Sequence, residues 1–382
     1  MRIGHYAPHV WEGGGIGTYI RRLGVAQLRR GHAVYFLSRH APSDGRSETA
    51  RVVVSDDELF HEATALSLDV LHLHKPVDAW PDERVATVRT MHGNQGGCPS
   101  GSRYLERTGQ PCDRRYTVGG CLIGHLVDKC GSRRPAKIQA NFRRIGMEHR
   151  LAAAMPTYTV SHFLRDQMVR AGCPTDNLYT LLSPAPEPTA TFDPMPEDGP
   201  PRFLYVGRIV PQKGLDTLIR ALSRATEDVR VDVAGDGPQL SAMREVARRE
   251  GVSDRVTFHG WCSAAQVEAL MQQARAVVFP SSWHEPAGLV TLEAAAAGRP
   301  VIASKVGGIP EYASEDFAML VPPSDPNALA GQMELLARDV ALAERMGRAG
   351  REAVAEKHSM DQFMNDLEAW YQHVAPAGRV VA

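Results

Sequence analysis

Apolar residues fall into short β-branched runs separated by stretches of helical spacing, and the pattern occurs twice along the chain. In the first half the strand-like runs, some interrupted by a polar residue, are 3–6, 34–37, 52–54, 70–73, 85–91 and 157–160, and an amphipathic stretch covers 16–29. In the second half they include 204–206, 231–234 and 276–279, with Leu215, Leu218, Ile219 and Leu222 at helical spacing after the first. A continuously apolar run is a strand buried on both faces, which means a parallel strand with helical crossovers. The pattern therefore predicts an α/β protein of two Rossmann-like, doubly wound domains facing a cleft. A proline-dense stretch without apolar period, 184–201, reads as the linker between domains 1–183 and 202–358. Phe363, Leu367, Trp370 and Tyr371 predict an amphipathic C-terminal helix in 359–382.

The chemistry clusters where the predicted strands end. The run 276–279 is stopped by Pro280, and a loop leads to Glu285-Pro286-Ala287-Gly288-Leu289 and a helix that carries Glu293. Proline and glycine allow a tight turn into that helix, and its first free N–H groups, at Gly288 and Leu289, suit a phosphate. The strand at 204–206 runs into Gly207-Arg208 and Lys213-Gly214, two cations on one loop. Arginine offers a planar fork and lysine a mobile point charge, a pair suited to a diphosphate. The strand at 231–234 opens on Gly235-Asp236-Gly237-Pro238. Three such loops at carboxyl ends of strands fit the ligand rule for open α/β sheets. Solvated charges on ordinary loops are the competing reading of each segment alone.

After the first strand, Gly13, Gly14, Gly15 and Gly17 form a glycine loop that resembles part of a dinucleotide fingerprint. Ser38 and Arg39 stand where an NAD site needs an acid to hold the ribose, which argues against that cofactor. His92 follows the strand that ends at Met91, where a histidine faces either a cleft or a structural hydrogen bond. His72 and His74, one strand earlier, read as structural.

In their order, Gly207-Arg208, Lys213-Gly214, Gly235-Asp236-Gly237-Pro238, Glu285-Pro286 with Gly288-Leu289 and Glu293-Ala294, and Gly307-Gly308 with Glu311 resemble the retaining glycosyltransferases of family 4, which have the GT-B fold. The resemblance implies that Arg208 and Lys213 hold the donor diphosphate, Glu293 the ribose hydroxyls, and Glu285 and His92 the donor sugar. It places Gly14, Gly15, Gly207, Gly237, Ala287, Gly288 and Leu289 around the donor, and packs the C-terminal helix back on the first domain. The implied reaction is transfer of a sugar from a nucleoside diphosphate sugar to an acceptor hydroxyl, with UDP favoured over GDP on family frequency. No cofactor or divalent ion is implied for catalysis, and the acceptor is unspecified. The alternatives are an epimerase or another GT-B enzyme, and a non-catalytic protein that binds sugar nucleotides.

Charge and cysteine content refine this reading. The 43 Lys and Arg balance 44 Asp and Glu for a net charge of -1, so no general attraction to nucleic acid is expected. Without a signal-peptide core or an apolar run long enough for a bilayer, a cytoplasmic protein is expected. Four of six cysteines, Cys98, Cys112, Cys121 and Cys130, lie in or beside a glycine-rich insertion, 94–132, next to His92. Clustered thiols in a reducing compartment favour a structural zinc, with a disulfide pair, separate thiols or an iron–sulfur cluster as alternatives. A basic stretch follows, Arg133, Arg134, Lys137, Arg143, Arg144 and Arg150. It reads as a solvated helix face, a peripheral membrane contact or a site for an anionic acceptor.

Overall fold

The structure, a computed structural model, describes residues 1–12, 14–42, 49–79, 84–188, 192, 194–196 and 199–374. Gly13, parts of the predicted linker (189–191, 193, 197 and 198) and the tail 375–382 lie outside the described residues. The chain divides into two compact units. One holds residues 1–99, 139–182 and 360–382, and the other holds 100–138 and 183–359.

The first unit is built on strands β1 (Arg2–Tyr6), β2 (Ala33–Ser38), β3 (Ala50–Val52), β4 (Val70–Leu73) and β5 (Ala86–Met91). A short antiparallel pair, β6 (Tyr104–Leu105) and β7 (Gln110–Pro111), follows within the insertion and belongs to the second unit. The chain then returns with β8 (Thr157–Thr159) and β9 (Leu178–Thr180). The sheet order is β3-β2-β1-β4-β5-β8-β9, and every pairing is parallel. Helices α1 (Gly15–Arg29) and α2 (Asp56–Ala65) make crossovers. Helix α3 (Val118–Leu126) sits in the insertion, and α4 (Pro135–Ala154) and α5 (His162–Arg170) follow. Ser55 and Ser161 cap α2 and α5, each accepting from the backbone N–H three residues on, which satisfies a donor that the first turn would leave unmade.

Arg89 of β5 and Glu148 of α4 form an ion pair with both side chains 1% exposed. It fixes α4 to the sheet at one register, since moving either partner would strand a buried charge.

The second unit repeats the plan with β10 (Arg202–Val206), β11 (Arg230–Ala234), β12 (Val256–Gly260), β13 (Ala276–Phe279), β14 (Val301–Ser304) and β15 (Ala318–Val321), in the order β12-β11-β10-β13-β14-β15. All five pairings are parallel. Helices α6 (Leu215–Arg224), α7 (Leu240–Arg249), α8 (Ala264–Gln272), α9 (Leu289–Ala296), α10 (Pro326–Arg338) and α11 (Val340–Lys357) cover it. The predicted stripe of α6 is the stripe it buries: Leu215, Leu218, Ile219 and Leu222 are at most 2% exposed. The strand order reverses between β10 and β13, so their carboxyl ends flank the crevice where open α/β sheets take ligands.

The last helix, α12 (Met360–Val374), belongs to the first unit. Phe363, Met364, Leu367 and Tyr371 pack on Ile3, Val70, Val88 and Tyr158. Burying each such side chain contributes roughly 1.5–3 kcal/mol before ordering costs. Arg30 adds ion pairs to Asp361 and Glu368 at 3.1 and 3.3 Å.

Candidate functional site

Two loops of the second unit are stitched together at the switch point. The backbone N–H of Ser282, after β13, donates to the carbonyl of Gln212, after β10, at 2.9 Å. Gly214 has φ +68°, and a Cβ there would lie 1.9 Å from the Pro280 carbonyl oxygen, so the approach needs glycine. Gly307, at φ +62°, closes on the other side: a Cβ would lie 2.4 Å from the Glu285 carbonyl oxygen. The neighbouring Gly308 N–H donates to that carbonyl at 2.7 Å. The backbone of Glu285 is therefore held before its side chain does anything.

That side chain is buried and receives two hydrogen bonds on Oε1, from Lys213 Nζ at 2.6 Å and from Ser281 Oγ at 2.6 Å. Lys213 is half-buried, and its ammonium lies 5.4 Å from the Phe279 ring centroid and 5.8 Å from that of Trp283. The aromatic walls and the carboxylate hold an otherwise flexible cation in one place. Two predicted residues, one after each central strand, are thus brought into direct contact.

Gly288 is the N-cap of α9 and is buried, and Leu289 is its first residue. The positive end of that helix starts three residues after Glu285. Glu293 lies one turn into α9, half-buried, and Ala287 is half-buried on the loop before it. Arg208 is exposed, and its carbonyl accepts the Tyr205 hydroxyl proton at 3.0 Å. Burial, and next the Glu285 carboxylate, raise the Tyr205 phenol above its usual range, so it stays a donor. Gly207 and Gly237 are half-buried on the neighbouring loops, and a Cβ on Gly237 would meet the Ile209 carbonyl at 2.4 Å.

Sequence reasoning missed His284. Its Nε2 pairs with Asp113 Oδ1 at 2.8 Å, which ties the segment 100–138 to the loop that carries Glu285. Burial, followed by the Arg103 charge, lowers the His284 pKa, with Asp113 opposing. A histidine one residue before Glu285 was the visible signal, but its partner lies 171 positions away. Ser324 Oγ donates to the Gly109 carbonyl at 3.4 Å as a second tie.

In the first unit, Gly14 is the N-cap of α1 at φ +141°, and a Cβ on Gly14 or Gly15 would meet nothing within 4 Å. The tight position is Gly17, where a Cβ would lie 2.7 Å from the Val10 carbonyl. His92 is half-buried after β5, and its Nε2 lies 3.0 Å from His74 Nδ1. Desolvation, with Lys75 and Arg89 adding positive charge, pulls its pKa down to about 3, so the ring is neutral at any ordinary pH.

The expected zinc centre on Cys98, Cys112, Cys121 and Cys130 gains no support. All four thiols are half-buried, but the three-ligand groups gathered among the described residues are His5 with His72 and His74, and His9 with Glu12 and His40. A tetrahedral centre needs its ligands converged. Other contacts order this segment: Asp128 is buried and pairs with Arg107 at 3.2 Å and Arg114 at 2.5 Å. Of the basic stretch, Arg133, Arg134, Lys137, Arg143, Arg144 and Arg150 are exposed. Helix α3 nearby exposes Val118, Leu122, Ile123 and Leu126. No helix among the described residues is long and apolar enough to cross a membrane.

Comparison with known proteins agrees with the fold. Residues 188–353, within the second unit, match the family model of Glycosyl transferases group 1. The chain is 36% identical over 161 residues to a glycogen synthase of Mycobacterium tuberculosis, covering 41% of this chain and 39% of that protein. It is also 36% identical over 179 residues to a GDP-mannose-dependent phosphatidylinositol monomannoside mannosyltransferase of the same species, covering 44% and 46%. It therefore spans less than half the length of either curated relative. Among solved structures, sucrose-phosphate synthase from Thermosynechococcus elongatus superposes with a TM-score of 0.71 at 22% identity, over 97% of this chain and 98% of that one. The Anabaena protein Alr3699/HepE, in complex with UDP-glucose, gives 0.71 at 15% identity over 98% and 100%. At those identities the likeness is one of fold: two Rossmann-like parallel sheets with helices, as in GT-B proteins.

Proposed function

We propose that the protein is a retaining glycosyltransferase that moves a sugar from a nucleoside diphosphate sugar to an acceptor hydroxyl. The observation that carries this reading is the Lys213–Glu285 pair at the switch point, beside the amino end of α9. As the anomeric C–O bond breaks, negative charge grows on the departing diphosphate. Lys213, Arg208 and the first N–H groups of α9 supply positive charge there without reorganisation. Glu293, one turn further along α9, is assigned to the ribose hydroxyls. Glu285 is assigned to the sugar, where a buried carboxylate that already shares its charge with Lys213 orients hydroxyl groups.

UDP is the preferred nucleotide. The Anabaena neighbour, solved with UDP-glucose, supports a uridine donor, and the name of the GDP-mannose-dependent mannosyltransferase relative makes GDP the nucleotide to test against it. Acceptor attack on the face that the diphosphate leaves would let a departing phosphate oxygen take the hydroxyl proton, so no side chain need act as a base.

The stereochemistry is directly readable. Proton NMR of the first-formed product from an α-linked donor should show an α-glycoside. A β-glycoside as the initial product would mean inversion and would remove the same-face mechanism.

A further inference from the structure

A line of buried polar side chains crosses the first unit and ends at His92. Gln27 of α1, His5 of β1 and His74 after β4 are at most 2% exposed, whereas His92 is half-buried. Gln27 Oε1 lies 2.6 Å from His5 Nε2, His5 Nδ1 lies 3.0 Å from His74 Nε2, and His74 Nδ1 lies 3.0 Å from His92 Nε2. The rings are close-packed, with centroids 5.3 Å apart in both His5–His74 and His74–His92.

Such a chain has a direction. A carbonyl oxygen only accepts, so the proton of neutral His5 sits on Nε2 and its Nδ1 is a lone pair. That lone pair takes the proton of His74 Nε2, and His74 Nδ1 takes the proton of His92 Nε2. A second branch accommodates this orientation of Gln27. Its amide nitrogen faces the Tyr371 hydroxyl at 3.5 Å, that hydroxyl lies 2.6 Å from His72 Nδ1, and His72 Nε2 lies 2.7 Å from Thr90 Oγ1. Tyr371 then donates to His72, His72 donates to Thr90, and the Tyr371 oxygen is left to accept from Gln27. Turning the amide over would reverse every bond, and His92 would carry its proton on Nδ1 instead.

We propose that Gln27, His5 and His74 are positioning residues that fix His92 as the Nε2–H tautomer, so that its Nδ1 lone pair accepts a hydrogen bond from a substrate hydroxyl. This rests on the glycosyltransferase reading only for the identity of that substrate. Neutrality of the whole line supports it: burial lowers His5 to about 4 and keeps His74 well below its usual value. A metal ion on His5, His72 and His74 is the competing use of these rings. It would have to displace hydrogen bonds that already engage both nitrogens of His5 and His72.

The test is a long-range proton–nitrogen NMR experiment on ¹⁵N-histidine-labelled protein, which reads each ring's tautomer without any activity. The expected result is Nε2–H, Nδ1-unprotonated signals for His5, His74 and His92, assigned with single-histidine variants. In Gln27→Leu, His92 should become a mixture of tautomers, and kcat should fall about tenfold while KM for the donor stays within about twofold. Gln27→Glu, which restores an acceptor, should recover the Nε2–H form even if Gln27→Leu is too unstable to study. Nδ1–H on His92 in the wild type, a tautomer unmoved by Gln27→Leu, or stoichiometric metal on the purified protein would each overturn the proposal. A correct tautomer in a protein with no transferase activity would uphold the relay and sink the glycosyltransferase reading instead.

Discussion

Replacing Lys213 with alanine is expected to lower kcat by about 100- to 1,000-fold, about 2.7–4 kcal/mol of barrier, with a much smaller change in donor KM. The direction follows from where charge appears. On the proposed reading the ground-state diphosphate is already an anion that solvent and the α9 amino end can hold, whereas the additional charge of bond cleavage develops next to the ammonium. Glu285 complicates the experiment, because in the variant its buried carboxylate loses the 2.6 Å contact with Lys213 and keeps Ser281. Lys213→Ala should therefore also be less stable. The double variant Lys213→Ala/Glu285→Gln, which removes the orphaned charge, should regain stability without regaining turnover. Single-turnover rates on protein shown to be folded decide the matter, and a kcat within about threefold of wild type would remove Lys213 from the phosphate site.

Acid should destabilise the first unit well before its carboxylates titrate. An unfolded histidine has a pKa of about 6.5. In the folded unit His5 is held at about 4, His92 at about 3, and His72 and His74 well below their usual range, all chiefly through burial. Between those values and about 6.5 the unfolded chain binds protons that the folded one refuses. Stability is therefore fully present above about pH 6.5 and is lost as pH falls through the window below it. Each histidine contributes a slope of about 1.4 kcal/mol per pH unit, so His5 alone accounts for roughly 3 kcal/mol by pH 4. Tyr371 stays protonated throughout, since burial raises its phenol. Lys75 and Arg89 are the cations that bear on His92. Urea titrations at half-unit pH intervals should show the loss beginning near pH 6.5, and stability that is flat down to pH 5 would contradict the buried, neutral line of rings.

The central strands were legible because a strand buried on both faces is predominantly apolar, as 204–206 and 276–279 are throughout and 70–73 is apart from His72. Edge strands were harder. In β12 only Val256 is buried and the remaining positions are half-buried or exposed, so no apolar run marks it. Strand β3 lies at 50–52 rather than 52–54, because Val53 turns in to bond Ser38 and Val54 is left exposed. The residues proposed for the donor could be placed on their loops from sequence because strand, glycine turn and helix are contiguous there. The histidine line could not. His5 and His72 are register partners on adjacent strands, Gln27 comes from a crossover helix, and Tyr371 arrives from the far end of the chain. His72 and His74 looked like isolated structural residues because hydrogen-bond partners so distant in sequence leave no local period.

The most direct test of the central claim is a thermal-shift titration of wild type and Glu293→Ala with UDP, UDP-glucose, GDP and GDP-mannose. A ligand that binds only the folded state raises the melting temperature as RT ln(1 + [L]/Kd). Expected are a saturable rise with uridine nucleotides, a smaller one or none with guanosine nucleotides, and loss of the rise in Glu293→Ala. No shift with any nucleotide, or an equal shift in wild type and variant, would contradict the assignment of a nucleotide-sugar site to the carboxyl ends of β10 and β13.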